Sequence, residues 1–221
     1  MIYKYIRFVL DLIYPSRCPV CGDFIGYTDD FCQKCRENIN FLEESFDIQY
    51  SDFSMSVCIY DENISPAVFT LKDKGGNAPY AFAIGISELI KKYLVSEHID
   101  FIIPVPMYKS DKAKRGYNQC ELIASEISHI SGIPHKFNIV FKIRKTPHQK
   151  ELSKNERKSN LKNAFALKNP EKISGKNIIL IDDVCTTGST LSEISRLLKN
   201  NGAGKIFCLT YCRTDFLKLS K

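Results

Sequence analysis

The chain has 221 residues, of which 44% are hydrophobic and 25% charged, with a formal net charge of +6. That balance suits a folded domain with a small appendage and excludes a disordered or fibrous chain. No apolar run is long enough to span a bilayer, so no integral membrane segment is expected.

Residues 1–14 carry an early positive charge, but Asp11 interrupts the apolar core and no small-residue cleavage site follows, which argues against an export signal. Ile2, Ile6, Val9 and Ile13 lie near helical spacing, so an N-terminal helix over 1–17 is expected to dock on its own protein. The alternative is a helix lying on a membrane surface or on a partner. Nine cysteines without an export signal point to a reducing compartment. A cytoplasmic location is therefore expected, with a peripheral position at the inner face of the membrane as the alternative. Cys18-Pro-Val-Cys21 and Cys32-Gln-Lys-Cys35 form two Cys-x₂-Cys knuckles, and their four thiolates can close a tetrahedral Zn²⁺ shell with no open position. This predicts structural zinc in an element over 18–45; redox-active thiols are the other reading.

A polar, acidic shift over 41–54 precedes the main domain, expected over 55–215. Its periodicities predict strands at 55–60, 100–105, 139–143, 178–181 and 205–211. Helices are expected at 64–72, 80–94, 117–131 and 189–200. Alternating strands and helices argue for an α/β fold with a parallel-centred sheet. Between Lys109 and Lys162, thirteen basic residues face five acidic ones, a surplus of about +8 against +6 for the whole chain. Such a surplus can receive an oligophosphate or a nucleic-acid backbone, or it can be a solvated face. The polar stretch 144–160, with Pro147 and no clear periodicity, is long for a connection.

The most informative segment is Ile178-Ile-Leu-Ile-Asp182-Asp183-Val184-Cys-Thr186-Thr187-Gly188-Ser189-Thr190. A strand covered on both faces puts two carboxylates at its carboxyl end, where ligands sit in open α/β sheets. The small-residue loop then offers hydroxyls and closely spaced N–H groups at a helix start, which suits a phosphate dianion. Asp182 and Asp183 accept hydrogen bonds only, so they can bind two vicinal hydroxyls, with Mg²⁺ offsetting their charge. An N-capped helix after a buried strand would need one such residue, not the whole set. No Gly-x-x-x-x-Gly-Lys-Ser/Thr occurs, which disfavours a P-loop nucleotidase.

This segment resembles the signature of phosphoribosyltransferases, which bind 5-phosphoribosyl-1-pyrophosphate (PRPP). Together with the paired Cys knuckles, Pro104-Val-Pro followed by Arg115-Gly-Tyr-Asn-Gln119, and Arg144-Lys-Thr-Pro-His-Gln149 running on to Arg157, Asn160 and Phe165, it is similar to the competence protein F (ComF) family. The resemblance covers Cys18 to about Tyr211. It implies a type I phosphoribosyltransferase-like fold with a small N-terminal four-cysteine element like a zinc ribbon.

In that fold the 5′-phosphate would lie in the 186–190 loop, and Asp182 and Asp183 would be the catalytic acids. Pro104, Arg115, Gln119, Arg144 and Arg157 would join Val184, Thr186, Thr187, Gly188, Ser189 and Thr190 in holding PRPP with Mg²⁺, and 144–160 would close as a flap. Arg115 and Arg157 are read as pocket cations, and Lys112, Lys114, Lys154 and Lys158 as an outer face. Thr186 stands where 6-oxopurine phosphoribosyltransferases carry an Asp, which disfavours purine salvage. Three functions follow from the resemblance: a PRPP-binding protein of DNA uptake in natural transformation that also carries single-stranded DNA; a phosphoribosyltransferase (glycosyltransferase, pentosyl transfer) of unidentified acceptor in nucleotide metabolism; or a zinc-containing adaptor docking a competence helicase.

Overall fold

The computed structural model describes residues 2–73, 76–146 and 161–215. Its centre is a four-stranded parallel sheet in the order β1 (Phe53–Ile59), β6 (Ile206–Arg213), β5 (Ile178–Cys185), β2 (Phe101–Pro104). Alternate residues of each strand enter different cores, because strand side chains project to opposite faces. Ile179, Ile181, Leu209 and Tyr211 pack with α3 (Ser65–Asp73), α4 (Ala78–Tyr93) and α6 (Gln119–Ser131). Ile178, Leu180, Ile206 and Cys208 pack on the other face with Leu191, Ile194 and Leu198 of α7 (Ser189–Asn200). Both faces are covered, which explains the unbroken apolar run before Asp182.

The remaining elements are α1 (Ile2–Ile13), α2 (Gln33–Glu37), the seven-residue α5 (Lys109–Arg115), a 3₁₀ turn at Pro170–Lys172, and an antiparallel ribbon of β3 (Val140–Lys142) and β4 (Phe165–Leu167). Strand β5 runs four residues beyond the expected end, since Asp182 and Val184 continue the register opposite Thr210 and Cys212. Between the strand expected at 100–105 and the helix expected at 117–131 the basic stretch contains α5, closed by Gly116 in the left-handed region.

Two contacts differ from the sequence reading. Residues 41–46 are not a free linker: Leu42 donates to the Val57 carbonyl and Phe46 to that of Ser54, so this segment runs antiparallel to β1. Cys18, Phe31 and Ile39 thereby join the same core as Tyr211 and Phe82. Helix α1 docks, though not through its apolar stripe. Tyr3 stacks on His129 and bonds Glu126, Arg7 lies 3.3 Å from the Tyr80 ring centroid and donates to Asn77 and to the Tyr27 carbonyl, and Phe8 meets Tyr27 edge-on. Ile6, Val9 and Ile13 stay exposed, Ile13 at 67%. Tyrosine and arginine faces with polar partners outcompete a narrow aliphatic stripe here. No helix among the described residues is long and apolar enough to cross a membrane.

Candidate functional site

The carboxyl edge of the sheet brings together Asp182, Asp183 and the 186–190 loop in a cleft of about 320 Å³, to which Tyr60 and Lys72 also contribute. The loop is shaped by Gly188, at φ +71° immediately before α7. A Cβ there would collide with Ile48 Cδ1, so both conformation and space require glycine. Thr187 and Ser189 hydroxyls lie 2.8 Å apart, and Thr214 holds the loop from below by donating to the Thr186 carbonyl at 2.9 Å. The start of the twelve-residue α7 thus opens toward the cleft with hydroxyls and N–H groups suited to an anion.

The two acids sit in different surroundings. Asp183 is 5% exposed and forms an ion pair with Lys72 at 2.9 Å; Gln119 Nε2 approaches the same oxygen at 3.5 Å. Asp182 Oδ1 accepts the Asp183 N–H at 3.0 Å and faces the Cys120 thiol at 3.3 Å. Burial and the neighbouring Asp183 push the Asp182 carboxyl well above the usual carboxylate range. Burial acts in the same sense on Asp183, but the Lys72 ammonium outweighs it and holds that carboxyl below its ordinary value. The two carboxyls are thus shifted in opposite directions, Asp182 up and Asp183 down, with Lys72 as the cation facing the lowered one.

Other expected residues fall around this centre. Arg115 Nη1 donates to Gln119 Oε1 at 2.6 Å, so the arginine reaches Asp183 through the amide. A second hollow of about 600 Å³ adjoins, lined by Lys72, Lys114, Arg115 and Lys145 with Asp73, Ser110 and Asp111. Lys114 thus lines this hollow beside Arg115 rather than the outer face expected for it. Pro104 is a backbone partner of Ile181 in the sheet. Asn118 ties β2 to α6: its side chain caps α6 at Cys120 N and donates to the Val105 carbonyl. Thr187 faces a neighbouring depression with Lys162 and Arg196. Arg144 is exposed, donates to the Lys162 carbonyl and lines neither hollow, whereas Lys145 does. Arg157, with the rest of 147–160 in the flap expected over 144–160, lies outside the described residues. Sequence reasoning missed Lys72, which reads there as an ordinary basic residue in a helix's last turn.

A phosphoribosyl transferase domain model matches residues 79–215, and a double zinc ribbon domain model matches 9–46. The DNA utilization protein YhgH of Salmonella typhi is 39% identical over 90% of this chain and 85% of its own length. The chain belongs to the competence protein F family of phosphoribosyltransferase-like proteins. Competence protein F of Haemophilus influenzae is 44% identical over 48% of this chain; that match spans about half, 46%, of its own length. Among solved structures, an adenine phosphoribosyltransferase aligns over 64% of this chain and 73% of its own, at 16% identity and a TM-score of 0.44.

The family's zinc ribbon corresponds here to Cys18, Cys21, Cys32 and Cys35, whose sulfurs lie within 4.8 Å of one another. Four closely grouped thiols fit a tetrahedral zinc shell and leave no position for a substrate. In this ComF-family chain zinc is structural.

Proposed function

We propose that the cleft binds PRPP, with the 5′-phosphate in the 186–190 loop and the ribose hydroxyls on Asp182 and Asp183. The pyrophosphate would rest among Lys114, Arg115 and Lys145. The observation carrying this reading is that an anion-suited helix start and an acid pair share one cleft, adjoined by a hollow with four basic side chains. Arg144 and Arg157 belong to this proposal as flap residues and Pro104 as the exit of β2. Mg²⁺ is the metal proposed with PRPP, where it would be held by the ligand's phosphate oxygens beside the Asp182 carboxylate. When bound, Mg²⁺ neutralises pyrophosphate charge.

Such a site can perform pentosyl transfer. As a nucleophile bonds to C1 of the ribose, the bond to pyrophosphate oxygen breaks and its electron pair leaves with pyrophosphate. Positive charge builds on the ring beside Asp183, while the hollow's cations receive the leaving group. The family membership and the names of the relatives, competence protein F and DNA utilization protein, support placing this activity or binding in DNA uptake during transformation. The test is calorimetric titration with PRPP and Mg²⁺ on wild type and on the double variant Asp182→Asn/Asp183→Asn. Affinity should fall on the order of a hundredfold in the variant, with zinc content unchanged. Equal affinity would remove the ribose assignment.

A second reading, not exclusive of the first, is single-stranded DNA binding. It is favoured by a groove of about 930 Å³ beside α5 in which Tyr108, Phe137 and Phe141 lie among Lys109, Lys112 and Lys142. Aromatic faces for bases beside cations for phosphates suit a single strand. The adaptor reading rests on the four-cysteine element and on α1, whose Leu12 and Ile13 are exposed together with the following Tyr14 as a surface for a helicase. Loss of helicase binding in Leu12→Ser/Ile13→Ser, with zinc content and melting temperature unchanged, would test it.

A further inference from the structure

Two carboxylates are poor company for a ligand that carries a phosphate and a pyrophosphate. Their mutual repulsion has to be offset by cations held within a few ångströms. The chain supplies one such cation itself. Lys72 Nζ lies 2.9 Å from Asp183 Oδ2, and Lys72 lines both the acid-pair cleft and the adjoining hollow of Lys114, Arg115 and Lys145. It therefore stands between the places assigned to ribose and to pyrophosphate.

Its position is held from several sides. Ala67, Val68 and Leu71 of α3 are buried in the core under the sheet, which fixes the helix that ends at Asp73. The Leu71 carbonyl accepts the Tyr117 hydroxyl at 2.8 Å, so the end of α3 is tied to the turn that presents Arg115 and Gln119. Gln119, itself held by Arg115 at 2.6 Å, approaches the oxygen that Lys72 pairs with. Asp183 Oδ2 is thus faced by two nitrogen groups, and a divalent ion coordinating that oxygen would have to displace them.

Building on the PRPP reading, we infer that Lys72 is the resident counter-cation of the acid pair and lets the cleft bind PRPP without a divalent metal. Lys72 then does for the Asp183 carboxylate what Mg²⁺ would otherwise do, and its ammonium can also face the pyrophosphate across the boundary of the two hollows. It is a positioning and charge-compensating residue.

The experiment titrates the full chain with PRPP in EDTA and in Mg²⁺, for wild type, Lys72→Met and Lys72→Arg. Zinc content and a thermal melt, both taken without EDTA, verify that each variant is folded, and a competing-chelator control verifies that zinc is retained during titration. Removing Mg²⁺ should weaken wild-type binding by no more than about tenfold. Lys72→Met should lose on the order of a hundredfold in EDTA and recover much of it with Mg²⁺, because the metal then replaces the missing charge. Lys72→Arg, which keeps the charge, should keep most of the EDTA affinity, while the loss in Lys72→Met, which keeps an unbranched stem, is what a purely steric role would not predict. The inference is overturned if wild type needs Mg²⁺ for binding, or if Lys72→Met matches wild type in both conditions. Absence of PRPP binding by wild type even with Mg²⁺ overturns the pocket reading itself, and this inference with it. Should Lys72→Met fail to fold, the wild-type and Lys72→Arg titrations decide alone, since both must then bind in EDTA.

Discussion

Asp182 and Asp183 are neighbours in sequence with opposite electrostatic fates. Asp183 faces Lys72, while Asp182 faces a thiol and its charged neighbour. A raised carboxyl means that the folded state holds an extra proton. Stability contributed through Asp182 therefore declines as pH rises from the ordinary carboxylate range toward the raised value. The lowered Asp183 acts in the other direction, adding stability above the ordinary value that is lost as pH falls. Asp182→Asn should accordingly keep or raise the melting temperature at neutral pH and flatten its decline toward higher pH. Asp183→Asn, which leaves Lys72 without its partner, should cost about 1–3 kcal/mol by denaturant unfolding. Both would be read on the zinc-loaded chain. Equal losses in the two variants would contradict the unequal surroundings. Gly188→Ala meets both a positive φ and Ile48, and should cost about 1–3 kcal/mol and abolish the phosphate binding proposed for the loop, as calorimetry with PRPP would read.

At the scale of elements, the four-cysteine segment is part of the main core rather than an appendage on a tether. Phe31 lies 6.4 Å from the Tyr211 ring, which in turn stacks on Phe82 at 3.9 Å. About one zinc per chain is expected from elemental analysis of protein purified without added metal. Its removal should raise hydrogen exchange in residues 18–45 and also in β1 and the adjoining end of β6, since 41–46 pairs with β1. Exchange confined to the first forty residues would show the segment to be independent. Element identities followed from periodicity almost throughout, and α7 begins and ends where its pattern places it. The two missed stretches of strand have a common cause. Strand β5 continues through Val184 because β6 offers it a hydrogen-bonding edge, and β4 forms because β3 lies opposite it. Neither partner is visible in a local window.

For the whole molecule, the basic side chains described between Lys109 and Lys145 divide once folded. Lys114, Arg115 and Lys145 turn into a hollow beside the acids, while Lys109 and Lys142 line the aromatic groove and Lys112 is paired with Glu121 at 2.6 Å. Single-stranded DNA should bind with affinity falling steeply as salt rises. Phe137→Ala/Phe141→Ala should weaken that binding by about 1–3 kcal/mol per base unstacked, with PRPP affinity unchanged. Fluorescence anisotropy with a labelled oligonucleotide reads the first and calorimetry the second. A variant that binds DNA like wild type would leave the groove without this role.

The linear sequence by itself determined the parallel α/β class, the four zinc-type cysteines and the acid-pair and small-residue loop. Each of these is written in local periodicity or in short motifs whose spacing carries the chemistry. Tertiary structure alone decided that Lys72 neutralises Asp183, that Gln119 joins Arg115 to the same carboxylate, and that Ile48 closes the space behind Gly188. These partners come from α3, α6 and the segment before β1, and they meet only because the sheet aligns their ends. Charge pairing and steric exclusion act over a few ångströms in space, a distance that separation along the chain does not encode.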